Sequence, residues 1–209
     1  MLDVTGILLA AGSATRFGAD KLLHPLTGDE TVASQACRRL LHATGSVIAV
    51  VRQEDKPLAE RLLSLGATVA FCAQAERGLS ASLACGVAAA PASNAVLIAL
   101  ADMPWIQPAS IAAIARAMCA GAWIAAPAYR GRRGHPVGFS PLLRAELLGL
   151  TGDQGAKPVL QNHDGRVTLI DCDDPGVLLD IDTPADLLQT PLNDHEGLAN
   201  EREFGRSGA

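Results

Sequence analysis

Leu9-Ala10-Ala11-Gly12-Ser13-Ala14-Thr15-Arg16-Phe17-Gly18-Ala19-Asp20-Lys21 follows directly on the apolar run Val4-Thr5-Gly6-Ile7-Leu8. The pattern is a strand running into a loop with glycines at 12 and 18 and cations at 16 and 21. Such a loop suits a polyphosphate. Gly12 has no Cβ, so backbone N–H groups can approach phosphate oxygens closely and a positive φ is open to the chain. Arg16 offers a planar fork of donors, and Lys21 a compact point charge. Two familiar glycine-rich loops are excluded by spacing. A P-loop needs Gly-Lys-Ser/Thr after its second glycine, but Ala19 follows Gly18, and Gly12-Ser13-Ala14 breaks the G-x-G-x-x-G dinucleotide fingerprint. An ordinary strand-to-helix turn with incidental glycine and lysine would not place both glycines, Arg16 and Lys21 in register.

Outward from this loop, strand and helix signals alternate. Strands are expected over 4–10, 46–51, 67–72, 95–100 and from 123, with helices over 32–43, 57–65, 80–90 and 108–120. Continuous apolar strands separated by helices predict an α/β fold, a doubly wound, mainly parallel sheet covered on both faces, with ligands at the carboxyl ends of the strands. Beyond residue 130 the rhythm loosens: a polar turn at 131–134, a short strand at 135–139, a helix at 142–150, strands at 166–171 and 177–181, and a last helix from about 183. This part reads as elaboration of one domain spanning 1–190. Residues 191–209 are polar and aperiodic and predict a disordered tail.

The 209 residues are enough for one domain with a substantial core, and the net charge of −5 argues against a nucleic-acid-binding face. A phosphate ligand remains compatible, because Arg16 and Lys21 can make a local positive site on an acidic surface. The cysteines at 37, 72, 85, 119 and 172 form no C-x-x-C pair and no zinc-finger spacing, and most lie in apolar segments as small hydrophobes. A reducing, cytoplasmic setting is the expectation. No signal peptide is expected, and no apolar stretch approaches the roughly 20 residues that cross a bilayer, so no membrane partner is expected either.

Asp102 follows the apolar run 96–101 and precedes Met103-Pro104, which puts a carboxylate at the carboxyl end of a buried strand. It suits a turn or helix cap as well as a Mg²⁺ ligand in phosphoryl transfer. In Asp180-Ile181-Asp182-Thr183-Pro184-Ala185-Asp186, strand alternation would set Asp180 and Asp182 on one face. The same stretch would also start a helix at Pro184. Glu76-Arg77-Gly78-Leu79-Ser80-Ala81-Ser82-Leu83 suits a turn and N-cap. Arg130-Gly131-Arg132-Arg133-Gly134-His135 is singly a solvated basic turn and collectively a receiver for an anionic substrate.

The loop at 9–21 resembles the signature L-A-[AG]-G-x-x-x-R-x-G-x-x-K of the MobA-like nucleotidyltransferases at every fixed position. Ala101-Asp102-Met103-Pro104 looks like that family's G-D-M-P or A-D-M-P motif, which implies Asp102 as a Mg²⁺ (or Mn²⁺) ligand. Residues 180–186 resemble its D-x-D-T-P-x-D motif, which implies Asp182 as a second ligand and leaves Asp186 structural. Residues 76–83 are similar to its E-G-x-x-x-S-L segment, which implies Gly78, Ser80 and Ser82 in the nucleotide pocket; Arg77 departs from that pattern. Arg133-Gly134-His135-Pro136-Val137 and Gly152-Asp153-Gln154-Gly155-Ala156-Lys157 resemble elements of the molybdenum cofactor cytidylyltransferases, which implies Arg133, His135, Asp153 and Lys157 around an acceptor.

The resemblance spans 4–188 and implies a Rossmann-like domain of the nucleotide-diphospho-sugar transferase type. The reaction it implies is transfer of CMP from CTP to a molybdopterin-type molybdenum cofactor with release of pyrophosphate. Leu9, Ala10, Ala11, Gly12, Ser13, Arg16, Gly18 and Lys21 would hold the nucleotide, with Arg16, Lys21 and Asp102 catalytic. A molybdoenzyme of the xanthine dehydrogenase type would receive the product. The alternatives are a guanylyltransferase or another small-phosphate nucleotidyltransferase of the family, and a non-catalytic carrier of the cofactor.

Overall fold

The computed structural model describes residues 3–12, 17 and 20–188; the expected tail at 191–209 lies outside them. In chain order the elements are β1 (Val4–Leu9), β2 (Pro25–Thr27), β3 (Glu30–Thr31), α1 (Val32–Thr44), β4 (Val47–Arg52), α2 (Lys56–Ser64), β5 (Thr68–Cys72), α3 (Leu79–Ala89), β6 (Ala95–Leu100), α4 (Pro108–Cys119), β7 (Ile124–Tyr129), β8 (Arg132–Arg133), β9 (Val137–Phe139), α5 (Arg144–Leu148), α6 (Lys157–Asn162) and β10 (Val167–Asp171). The main sheet runs β10-β7-β9-β6-β1-β4-β5, with β8 paired to β7. β6, β1, β4 and β5 are parallel neighbours, as are β7 and β10, while β9 enters antiparallel between β6 and β7. The fold is therefore the single α/β domain with a mainly parallel sheet that the alternating pattern predicts.

Both faces are covered because the central strands are apolar on both sides. Leu8 of β1, Val47, Ala49 and Val51 of β4, and Leu97 and Ala99 of β6 pack in one core with α1, α2 and α4. Their alternates Ile7, Leu9, Ile48, Val50, Val96 and Ile98 pack in the other core, which includes Leu83 and Val87 of α3, Leu147 of α5 and Leu160 of α6. Gly86 sets the depth of the second layer. A Cβ there would stand 2.5 Å from Ile7 Cγ2 and 2.8 Å from Val50 Cγ2, so only glycine lets α3 lie this close to the sheet.

The last part of the chain departs from expectation. The strand predicted over 177–181 is absent, as is the regular helix from 183. Pro175–Leu178 is a 3₁₀ turn, 179–182 is irregular, and Pro184–Leu188 is again 3₁₀. β10 already occupies the sheet edge beside β7, so residues 177–182 have no strand to pair with and cross the ends of other strands instead. Single bonds hold them there: His135 N–H to the Val177 carbonyl (2.9 Å) and Ile181 N–H to the Asp102 carbonyl (2.9 Å). The β2–β3 hairpin and α6 are structure that the apolar pattern does not announce. Among the described residues no helix is long and apolar enough to cross a membrane.

Asp174 anchors this crossing segment. It is 2% exposed. Its Oδ2 accepts from Gln107 N–H (2.8 Å) and Ser110 Oγ (2.7 Å) at the start of α4, and its Oδ1 accepts from Gly176 N–H (3.0 Å). A carboxylate from another part of the chain thus caps α4, where Gln107 makes no side-chain cap of its own, and the helix dipole favours the negative charge. Asp174→Ala should lower unfolding stability by about 2–4 kcal/mol, since it strands several buried donors. The check is the urea midpoint; a midpoint equal to that of the parent protein would refute the anchoring role.

Candidate functional site at the carboxyl ends of the parallel strands

The chain leaves β6 at Leu100 and turns at once, with Met103 N–H bonded to the Leu100 carbonyl (3.3 Å). That turn leaves Asp102 over the strand end. Lys21, only 8% exposed, reaches it from the far side of the glycine loop. The ammonium donates to Asp102 Oδ2 at 2.9 Å and to Asp182 Oδ1 at 3.3 Å. Three of the residues singled out in the sequence therefore meet at one point, although they come from the beginning, middle and end of the domain. Asp182 is held by its own turn: Asp186 Oδ2 accepts from Asp182 N–H, Thr183 N–H and Thr183 Oγ1. These bonds keep the Asp186 carboxyl below the ordinary range. Strand alternation does not relate Asp180 to Asp182; they flank the fully buried Ile181, which plugs the segment into the core.

Asp102 Oδ1 is buried and has no hydrogen-bond partner among the described residues. An orphaned carboxylate oxygen next to a second carboxylate is a donor set suited to a hard divalent cation. Among the described residues no three His, Cys, Asp or Glu side chains gather to cage a metal. Asp102 and Asp182 would thus hold a cation by protein carboxylates only in part, its other oxygens coming from phosphate and water.

The corner opens into a cleft of about 710 Å³. Leu9, Ala11, Gly12, Gly78 and Ser82 line it, as does Asp102. Among the described residues nothing lies within 4 Å of where a Cβ on Gly12 would stand. Ala10 is buried beneath the loop, its N–H bonded to the Val50 carbonyl (2.9 Å). Ser80 is turned away and fully buried, with Oγ against the Gly155 carbonyl at 3.5 Å. Ser13, Arg16 and Gly18 lie outside the described residues.

Arg52, Glu76 and Arg77 also line the cleft. Arg52, which the sequence reading did not single out, ends β4 and donates from Nε to the Ala11 carbonyl at 2.8 Å, bracing the glycine loop. Its signal was available: it is the first charged residue after an apolar parallel strand, the same position that Asp102 holds after β6.

Gly78 and Asp153 form the outer wall. Gly78 has φ +106°, a conformation that favours glycine, and a Cβ there would lie 2.8 Å from the Gly152 carbonyl oxygen. Asp153 Oδ1 accepts from Leu79 N–H at 2.9 Å, which caps α3 from a distant loop, and Ser80 N–H bonds the Gly152 carbonyl (3.2 Å). Asp153 therefore stands in this cleft, apart from the other three residues expected around an acceptor.

Arg133, His135 and Lys157 line a second chamber of about 190 Å³ that shares Leu9, Leu79 and Leu100 with the cleft. Its remaining walls include Ile98, Val137, Phe139 and Leu160. His135 Nδ1 is sealed from solvent and has no partner among the described residues. Burial pushes the imidazole below its ordinary pKa of 6.5, against the pull of the Asp102 charge, so the ring is neutral near pH 7.

The comparisons agree with this architecture. The fold is that of nucleotidyltransferases of the nucleotide-diphospho-sugar transferase type. A nucleotidyl transferase from Methanothermobacter thermautotrophicus superposes with a TM-score of 0.75 at 26% identity, covering 89% of this chain and 94% of that one. The manganese complex of Rv0371c from Mycobacterium tuberculosis does so with a TM-score of 0.73 at 25% identity, covering 90% of this chain and 97% of that one. Residues 6–167 match the MobA-like NTP transferase domain, and the chain belongs to that family. Nicotine blue oxidoreductase of Paenarthrobacter nicotinovorans is 30% identical over 86% of this chain and 92% of its own length. Purine catabolism protein PucB of Bacillus subtilis is 30% identical over 86% of this chain and 91% of its own.

Gly78→Ala should destabilise the fold by about 1–3 kcal/mol, because it adds a strained φ to a backbone collision. It should also displace the 152–153 loop. Chemical denaturation together with amide exchange at Leu79 and Ser80 checks both; unchanged protection at those amides would show that the wall does not depend on Gly78.

Proposed function

We propose that this protein is a metal-dependent nucleotidyltransferase that moves CMP from CTP to a molybdopterin-type molybdenum cofactor and releases pyrophosphate. The observation that carries the reading is the meeting of Lys21, Asp102 and Asp182 at the edge of a cleft that adjoins a second, cationic chamber. Membership of the family and the manganese complex of the related mycobacterial protein support a nucleotide substrate and a divalent cation. In this reading the nucleotide lies in the cleft against Leu9, Ala11, Gly12, Gly78 and Ser82, and the acceptor enters the chamber between Arg133, His135 and Lys157.

The acceptor brings a phosphomonoester oxygen, already largely dianionic near neutral pH because its second pKa is about 6. Its attack on the α-phosphorus needs no general base. Lys21 and the glycine-loop N–H groups balance charge as it moves onto the departing pyrophosphate. Arg133 and Lys157 orient the acceptor phosphate by charge-assisted bonds. Asp102 and Asp182 would hold Mg²⁺ or Mn²⁺, which when bound supplies charge neutralisation at the phosphates. The protein's share is positioning and electrostatics.

Pyrophosphate release across the four nucleoside triphosphates, with and without molybdenum cofactor, tests the reading; no release with any of them would leave a carrier as the better account. Lys21→Ala and Asp102→Asn should each lower kcat/KM by about 10²–10³-fold, with the latter losing its response to Mg²⁺. Turnover and metal response like those of the parent protein in folded Asp102→Asn would make the aspartate a turn residue.

CTP should be preferred to GTP. Ala11 stands where guanylyl members of the family carry glycine, and its methyl restricts the approach of a purine. One methyl discriminates by only about 1–3 kcal/mol, so Arg52 and Glu76 at the same wall must add to it. Steady-state kinetics with one acceptor decide this; a higher kcat/KM with GTP would replace the cytidylyl assignment with a guanylyl one.

A further inference from the structure

β5 ends at Cys72, and Cys85 lies in the second turn of α3. The Cys72 thiol is directed at the Ala81 carbonyl of α3 (3.8 Å), and the Cys85 thiol at the Phe71 carbonyl of β5 (3.8 Å). Each sulfur thus reaches into the other's element across the seam between β5 and α3. Both line a groove of about 550 Å³ whose other walls include the small side chains of Ala81, Ala84 and Ala88; Cys85 is partly exposed there and Cys72 is buried behind it.

The chain between the two cysteines is the partition between this groove and the nucleotide cleft. Glu76, Gly78, Leu79 and Ser82 face the cleft, Gln74 and Ala81 face the groove, and Arg77 touches both. Neither thiol has a part in the chemistry proposed above.

We propose that Cys72 and Cys85 form a redox-sensitive dithiol that closes to a disulfide and, through this partition, weakens nucleotide binding in the cleft. A small-molecule disulfide such as oxidised glutathione is the oxidant. The Cys85 thiolate, the more accessible of the two, attacks one glutathione sulfur and expels the first glutathione thiolate. Cys72 then attacks the Cys85 sulfur of the mixed disulfide and expels the second. Two protein thiols lose two electrons in all, and two glutathione thiols carry those electrons and the protons away. Burial and the neighbouring Cys72 push the Cys85 thiol up to about 11, so exchange is slow near neutrality and accelerates with rising pH. A disulfide holds its sulfurs at about 2.05 Å, inside the contact distance of two thiols that are not bonded to one another. Closing it draws α3 and β5 together on the groove side and so pulls the partition away from the cleft.

The effect on nucleotide rests on the transferase reading; the disulfide does not. Trypsin cuts after Arg61, Arg77 and Arg116, which places the two cysteines on separate peptides. The full chain should be treated with oxidised glutathione at pH 8.5, its peptides mapped, and its affinity for CTP with Mg²⁺ titrated before and after. The expected result is a linked peptide pair, the loss of two of the five thiols, and a several-fold weaker affinity that dithiothreitol restores. Cys85→Ser should abolish both the linkage and the sensitivity to oxidant. Thiols that stay free or are capped separately in folded protein would overturn the proposal, whatever the variant does. Linked peptides with unchanged affinity would overturn the coupling to the cleft. If the reduced protein binds no nucleotide, the transferase reading fails and the dithiol is judged on the linked peptides alone.

Discussion

The ammonium of Lys21, nearly closed off from water between Asp102 and Asp182, is the contact on which the rest of the structure turns. A lysine this buried is tolerable only beside anions, and two carboxylates that share a corner repel unless a cation lies between them. Each charge therefore makes the other two possible. The three come from the glycine loop, from the end of β6 and from the segment that closes the domain, so an electrostatic condition on the site is also a condition on the tertiary fold. Such a cluster is weak as a source of stability, because desolvation offsets most of the attraction. Its effect is to fix position.

Position is then secured by bonds behind the corner and along the walls of the cleft. Asp174 ties the closing segment to the start of α4, and Ile181 fills the core directly beside Asp182. On the opposite wall, Asp153 caps α3 across a glycine that admits no side chain, and Arg52 braces the loop through the Ala11 carbonyl. Four independent supports thus surround one cleft. Rigid supports of this kind suit phosphoryl chemistry, in which misplacing a group by about 1 Å can cost about 10²-fold in rate.

The central strands were readable because burial on both faces demands continuous apolar runs, and β1, β4, β6 and β7 carry them within a residue or two of their observed limits. Asp102 was readable for a related reason: a charge at the end of such a run has few places to go except the ligand edge of the sheet; Lys21 was readable from its register with the glycines of the loop after β1. Arg52 obeys the same rule but belongs to no motif, so it passed unnoticed. Residues 177–182 misled because Val177, Leu178, Leu179 and Ile181 carry a strand-like composition, while the β10 edge that denies them a partner is a tertiary fact. The hairpin of β2 and β3 is too short for any periodicity to show. The meeting of Cys72 with Cys85 was equally hidden, since their spacing matches no cysteine motif and only the packing of α3 on β5 brings the sulfurs together.

Charge is divided unequally between the two cavities, and the division bears on what each can receive. The cleft is lined by Arg52 and Arg77 but also by Glu76, Asp102 and Asp153, so its own lining does not favour a bare polyanion. A nucleotide accompanied by a divalent cation is a different ligand, because the cation would satisfy Asp102 and reduce the net charge that the wall must accept. The chamber carries Arg133 and Lys157 with no carboxylate among the described residues of its lining, and its histidine is neutral. It favours an anionic group that arrives without a metal. Leu9 and Leu100 border both spaces, so two anionic substrates of the proposed reaction would be brought together there by different means, one through a shared cation and the other through fixed positive side chains. In the proposed reaction that separation would let a protein of net charge −5 hold two phosphorylated molecules without gathering all of its positive charge in one place.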